Sequence, residues 1–380
     1  MQAHSDRTGL AWLNPGDSAA EFSCTFGEAS TIFKKRLRAS LLGSLLAIVG
    51  TPGDCLGLQN GLTQRGKGQS VVAEATEKYE KSTSSTILFS DVVVKRRRKF
   101  FRARKWSYLD VRYATVMVLM HVLCLFAPFT YSLGAGLIAL ILIFITGQFG
   151  MTLSYHRNLA HRSFKLPKWL EYLFAYCGVH ALHGDPIDWV SRHRYHHKFS
   201  DSEKDPHSPT EGFWFSHIYW MFDNNYISQK CGDQLNIVED LQKQLFYRFL
   251  RSTYLAHSLT LGALLYVCGG FPYVVWGMGV RSIFVFHGTF LVRSVCHIWG
   301  YQTWNTGDLS KNNWFVAMIA FGEGWHNNHH AFEYSARHGL ESWEIDLTWN
   351  TIKLLQIIGL ATDVKVPSVI QKQKMLQTVR

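Results

Sequence analysis

Apolar positions are spread very unevenly along this chain of 380 residues. Val111 to Pro128 is mostly apolar, and Leu133 to Leu153 carries no charge. Ser252 to Val280 is again uncharged and is interrupted at Gly269-Gly270-Phe271-Pro272, a strong turn signal. Runs of this length match the roughly 20 residues that a membrane-spanning helix needs. The pattern therefore predicts two helical hairpins, with spans near 111–130, 133–153, 252–270 and 271–295. Arg281 falls inside the last span, where a charge is costly unless paired, and the sequence names no partner for it.

Two hairpins return the chain twice, so residues 1–110, 154–251 and 296–380 should share one side of the membrane. Residues 1–90 are rich in Ser, Thr, Gly and Ala and show no sustained apolar period; Leu41 to Val49 is too short to span. Lys and Arg outnumber acids over residues 1–73, amid many hydroxyl groups. That composition predicts a plastid or mitochondrial transit peptide and a disordered N-terminal segment, with the membrane domain occupying 91–380. The block Lys95-Arg-Arg-Arg-Lys99, followed by Arg102, Arg104 and Lys105, flanks the first span. In that position it fixes topology and meets anionic headgroups, and a nucleic-acid partner is not expected.

Composition agrees. Apolar residues make up 47% and charged residues only 18%, below the roughly 25% typical of soluble domains. The formal charge of +11 suits an anionic membrane surface. The seven cysteines are scattered and form no Cys-x-x-Cys pair, which argues against a disulfide framework and for a reducing compartment.

The candidate chemistry lies in histidines. Of 18, eight fall into three clusters: His156 and His161; His193, His196 and His197; His326, His329 and His330. All three lie in segments assigned to the same membrane face. Eight imidazoles are too many for one ion and suit two. On a helix, residues three and four apart share a face, so each His-x-x-His-His unit presents its nitrogens together, with the adjacent pair splayed towards two ions. His156 and His161 are five apart, which overshoots a regular turn and points to a helix end or bulge. The set is all nitrogen, without a bridging carboxylate. Zinc has no redox chemistry, so iron with dioxygen is the better match. Asp188, Asp205 and Glu323 flank the clusters as candidate acceptors for imidazole N–H groups. His4, His121, His180, His183, His207, His217, His257, His287 and His338 show no such grouping.

The surrounding residues carry a resemblance. Gly184-Asp185-Pro-Ile-Asp188-Trp189, His193-Arg-Tyr-His-His-Lys-Phe199 and Asp205-Pro-His-Ser208 resemble the membrane-bound fatty acyl desaturases of the stearoyl-CoA desaturase type. So do Trp304-Asn-Thr-Gly-Asp308 and Gly322-Glu-Gly-Trp-His-Asn-Asn-His-His-Ala-Phe332. Phe89-Ser-Asp-Val-Val-Val-Lys-Arg-Arg-Arg98 and Gly359-Leu-Ala-Thr-Asp-Val-Lys-Val-Pro367 are similar to its plant branch, in particular the plastid enzymes that desaturate palmitate on monogalactosyldiacylglycerol.

The resemblance implies an all-α membrane protein, with four transmembrane helices capped by a helical domain that holds a histidine-rich di-iron site. It assigns His156, His161, His193, His197 and His329 to one iron, and His196, His326, His330 and a ninth histidine, His297, to the other. It implies oxygen-dependent formation of a cis double bond at delta-7 in a saturated acyl chain, with O2 as co-substrate and an external electron donor. That donor would be ferredoxin in a chloroplast membrane or cytochrome b5 in the endoplasmic reticulum, where a delta-9 acyl-CoA desaturase is the alternative. A lipid hydroxylase uses similar histidine boxes, and a metal transporter is the rival from another class. One position departs from the family. Arg293 stands where an Asn is usual, four residues before His297. A cation beside a metal is unfavourable, so Arg293 either turns towards headgroups or weakens the second site.

Overall fold

The structure, a computed structural model, describes residues 85–96, 104–232 and 235–377. The expected transit segment up to residue 84 and residues 97–103 of the basic block lie outside them. Residues 85–90, grouped with the N-terminal segment on sequence, instead begin an antiparallel hairpin in which β1 (Ser85–Thr86) pairs with β2 (Val93–Val94). Trp299 Nε1 donates to Leu88 O at 2.9 Å, and Lys311 meets Asp91 at 2.6 Å, so the hairpin is tied to the third histidine segment.

The rest of the described chain is mostly helical. Helix α1 (Tyr108–Leu125) starts at a capping box: Ser107 Oγ accepts from Asp110 N, and the Asp110 carboxylate accepts from Ser107 N. Asn224 also donates twice to Asp110, which satisfies a buried acid at the head of an apolar helix. Helix α2 (Leu133–Ala160) begins at the Ser132 cap and changes at Phe144 from α to wider π winding, which it keeps to Ala160. It therefore runs well past the expected end of the second span and carries His156 within it. Outward apolar side chains such as Val118, Leu119, Leu140 and Ile141 are exposed, as a lipid-facing surface requires.

Helix α3 (Lys168–Val179) packs on α2 at a pair of glycines. A β-carbon at Gly150 would lie 2.5 Å from Gly178 N, so the two main chains touch. Helix α4 (Pro186–Phe199) follows, capped by Asp185 with Pro186 at its first position. A short helix α5 (Phe213–His217) leads towards the last apolar segment.

That segment, α6 (Tyr254–His297), is the third helix long and apolar enough to cross a membrane. It is not straight. Gly270 has φ 65° and ψ −159°, a conformation open essentially only to glycine, and Gly269 is also non-helical. Leu265 reaches the backbone of Gly277, where a β-carbon would stand 2.7 Å from its Cδ1. Residues 12 apart on a straight helix would be about 18 Å apart, so the chain turns back on itself here. Arg281 on the second arm is fully buried and is satisfied by main-chain carbonyls: Nε donates to Gly277 O at 2.8 Å, and Nη1 bonds His180 O.

Beyond α6 come α7 (Trp314–Ile319), α8 (His326–Ala331) and α9 (Leu347–Ile357), the last capped by Asp346. Buried apolar side chains gather between the apolar helices and the segments above them. One group includes Met117, Leu142, Trp220, Met278 and Phe290, and another includes Met151, Val179, Trp189 and Tyr247.

Candidate metal centre

Four elements deliver the nine histidines. The end of α2 supplies His156 and His161. Between them the chain closes an i→i+5 bond, His161 N to His156 O at 3.1 Å, which is the π turn that the five-residue spacing demands. The two rings then meet edge to face with centroids 4.8 Å apart. Helix α4 gives His193 and His197 to one side and His196 to another. Helix α8 divides His329 from His326 and His330 in the same way, and His297 enters from the end of α6.

The ligand atoms gather as two groups: His156, His161, His193, His197 and His329, and His196, His297, His326 and His330. In each group the Nε2 atoms face inward. His161 and His193 Nε2 are 2.8 Å apart, and His329 Nε2 lies 3.1 Å from His156 and 3.0 Å from His197. In the second group, His326 Nε2 lies 2.9 Å from His297 and 3.1 Å from His330. The groups abut: the rings of His197 and His330, one from each, are 4.5 Å apart.

The outward Nδ1 atoms meet carboxylates. His156 meets Glu323 at 2.6 Å, His297 meets Asp201 at 2.8 Å, His330 meets Asp308 at 2.7 Å, and His196 meets Asp205 at 3.1 Å. A carboxylate can only accept, so each such Nδ1 carries a proton, and in the neutral ring Nε2 is then a bare lone pair. With both rings neutral, His297 and His330 point lone pairs at His326 Nε2, which has at most one proton to offer. One lone pair is left facing another, an arrangement that a cation relieves. The donor set fits a metal on this ground.

Charge points the same way. Burial first, and then repulsion from neighbouring imidazoles, pushes His161, His193, His197, His326 and His329 well below the ordinary imidazole value. They stay neutral and available as donors. Burial alone would raise Glu323 and Asp205. Arg157 and His156 outweigh it at Glu323, and His196 and His207 do so at Asp205, so both are held below the usual carboxylate range.

Of the three acids expected to brace imidazoles, Asp205 and Glu323 do so. Asp188 does not; it pairs with Arg251 at 3.3 Å. Sequence reasoning missed Asp201 and Asp308, although Asp308 sits in the quoted Trp-Asn-Thr-Gly-Asp run. It also left two histidines ungrouped that belong here. His207 packs on His196 with centroids 4.4 Å apart, and His338 on His329 at 4.4 Å. Three others form a chain of their own: His217 Nε2 to His287 Nδ1 at 3.1 Å, and His287 Nε2 to His121 Nε2 at 3.4 Å.

A cavity opens against both groups. Its walls combine His156, His193, His196 and His326 with apolar Met151, Val285 and Phe321. Arg293 lines it too, with its guanidinium carbon 4.9 Å above the Trp220 ring. It is not turned out towards headgroups.

The family model for fatty acid desaturases matches residues 131–352, more than half of the chain. This chain belongs to the fatty acid desaturase family. Its similarity to curated relatives extends over about three quarters of its length. The palmitoyl-monogalactosyldiacylglycerol delta-7 desaturase of Arabidopsis thaliana, a chloroplastic protein, is 62% identical over 293 residues, 77% of this chain and 79% of the relative. The icosanoyl-CoA 5-desaturase of Limnanthes douglasii is 59% identical, covering 75% of this chain and 81% of the relative. The delta-9 acyl-lipid desaturase 1 of Arabidopsis thaliana is 55% identical, covering 74% and 91%. The protein is therefore a fatty acyl desaturase, an oxidoreductase that acts on acyl lipids in membranes, and its histidine clusters and apolar helices suit that activity.

Proposed function

We propose that this desaturase introduces a cis double bond at delta-7 of palmitoyl chains on a plastid galactolipid, using two irons held by the nine histidines. The observation that carries the metal reading is the inward convergence of imidazole nitrogens in two abutting groups, each braced from outside by carboxylates. His156, His161, His193, His197 and His329 would hold one iron, and His196, His297, His326 and His330 the other. Such a pair supplies the oxidising power, with O2 and outside electrons, to remove hydrogen from an unactivated methylene. The protein's own work is orientation and exclusion of water. The carboxylates orient His156, His196, His297 and His330. The apolar cavity wall aligns the chain beside the histidines and keeps it dry.

The same reading covers the rest of the chain. The two arms of α6 cross separately, giving four crossings below a histidine-bearing cap. The residues ahead of the β1–β2 hairpin hold a chloroplast transit peptide, the hairpin and the chain beyond it form the enzyme, and a ferredoxin delivers the electrons. The 62% identity to a chloroplastic galactolipid enzyme favours that membrane, substrate and donor over an acyl-CoA enzyme fed by cytochrome b5 in the endoplasmic reticulum.

Expression in a desaturase-deficient host, followed by separation of lipid classes and positional analysis of the double bond, tests both parts. Wild-type protein should yield a delta-7 monoene on the galactolipid, while His196→Ala and His329→Ala should yield none. Unchanged product from both variants would sink the metal assignment. A delta-9 product on acyl-CoA would sink the substrate.

A further inference from the structure

We propose that Arg293 is the group that grips the acyl carbonyl, so that the enzyme measures its double bond from the carboxyl end. The inference rests on the acyl-lipid reading above and adds to it the residue that sets position.

Its first support is an imbalance of hydrogen bonds. Three inward-facing arginines are satisfied by main-chain and carboxylate oxygens: Arg157 by Glu323, Asp346 and Ala336 O, Arg194 by Asp240 and main-chain carbonyls, Arg281 by Gly277 O and His180 O, whereas Arg192 lies over the rings of Tyr113 and Trp220. Arg293 is different. Among the described residues its guanidinium donates to no acceptor and pairs with no carboxylate; its contact is the face of Trp220. Trp220 is itself buried, and its Nε1 also lacks an acceptor. A guanidinium without an acceptor is costly in a folded protein, and because Arg293 lines the cavity an oxygen from a ligand there would answer it.

Position supplies the second support. Arg293 precedes His297 by four residues on the same arm of α6, so the two side chains share a helix face one turn apart. It lines the cavity together with His196, His207 and His326. About two helical turns back along the same arm, at Val285, and at Met151 and Phe321, the walls offer alkyl and aromatic surface, with Thr152 and Glu323 as polar exceptions. A ligand that matches this gradient is a long hydrocarbon with oxygen at one end. Its oxygen belongs at Arg293, a few methylenes from the histidines, and its methyl end among the apolar walls. A neutral side chain at 293 would make a weaker bond to a carbonyl than a guanidinium does. The departure from Asn thus acquires a use beyond tolerance of a stray charge.

The test compares binding of a diacyl galactolipid with that of its dialkyl ether counterpart, which lacks the carbonyls, by purified wild-type, Arg293→Met and Arg293→Lys proteins in nanodiscs. Wild type should bind the ester roughly 10-fold to 100-fold more tightly, the gain expected of a charged hydrogen bond. Arg293→Met keeps the stem on Trp220 and should lose that preference, while Arg293→Lys should keep part of it. In a host supplied with chains of three lengths, wild type should hold one distance from the carboxyl end, and Arg293→Met should scatter its double bonds. Equal wild-type affinity for ester and ether overturns the proposal without any variant, and an Arg293→Met protein with unchanged preference and position overturns it as well. A wrong substrate assignment shows itself separately, as the ester preference persists on whichever lipid class carries the product.

Discussion

Glu323 ties several parts of the site together. It takes two hydrogen bonds from Arg157, at 3.0 and 3.1 Å, and meets Nδ1 of His156 at 2.6 Å and of His338 at 3.3 Å. Arg157, with no exposed surface, continues the network to Asp346 and Ala336 O. Breaking a buried pair from one side strands the other charge. Arg157→Met should therefore destabilise the fold by about 3–5 kcal/mol, read as loss of monodisperse protein in detergent. Normal yield and melting of that variant would contradict the network's role. Glu323→Gln keeps the shape and removes the charge that orients His156. Under the two-iron reading it should weaken iron retention about 10-fold to 100-fold, measured by metal analysis after dialysis against a graded chelator. His156, Glu323 and Arg157 were all visible as residue types in the sequence. Their mutual contact was not, because Arg157 and Glu323 are 166 positions apart and nothing local relates them.

At the scale of elements, the winding of α2 decides where the first two histidines go. Regular α geometry would set His156 and His161 at well-separated angles, whereas the π turn closes the five-residue gap. The contact of α2 with α3 holds that wound end in place, and it depends on glycine at both positions: a β-carbon at Gly150 would strike Gly178, and one at Gly178 would come within 2.4 Å of Tyr155. Gly150→Ala should push the helices apart at a cost of about 1–3 kcal/mol, lowering the thermal midpoint and loosening the first histidine group. An unaltered midpoint would show that the crossing is more forgiving than its geometry indicates. The hairpin in α6 tells the opposite story about legibility. Gly269-Gly270-Phe271-Pro272 marked it from sequence, since a glycine pair before proline has few other uses inside an apolar run.

Five imidazoles at the centre of the molecule bind protons less readily than they do in the unfolded chain. Five buried imidazoles sit well below their ordinary value, and in the unfolded state they titrate near about 6.5. Below that pH the unfolded chain holds the extra protons, so stability falls as pH falls. Glu323 and Asp205, with depressed values, add stability that is present above the normal carboxylate range and lost on further acidification. The unfolding midpoint in detergent should hold near neutrality, begin to drop below about pH 6.5 and fall further below about pH 4. A midpoint that stays flat through this range would contradict the buried, neutral state of the cluster.

Hydrophobic runs, charge flanks and histidine spacing by themselves determined that the chain carries helices apolar enough to cross a membrane, turns at Gly269-Gly270 and holds three clusters of metal-binding residue types. Those features are local: length, period and turn chemistry act within a few residues. Which carboxylate braces which ring, that Asp188 braces none, that His207 and His338 join the site, and that Arg293 faces the cavity were decided by the tertiary structure. Each depends on segments tens to hundreds of positions apart being packed together, and side-chain contacts across such distances have no signature in the order of the residues.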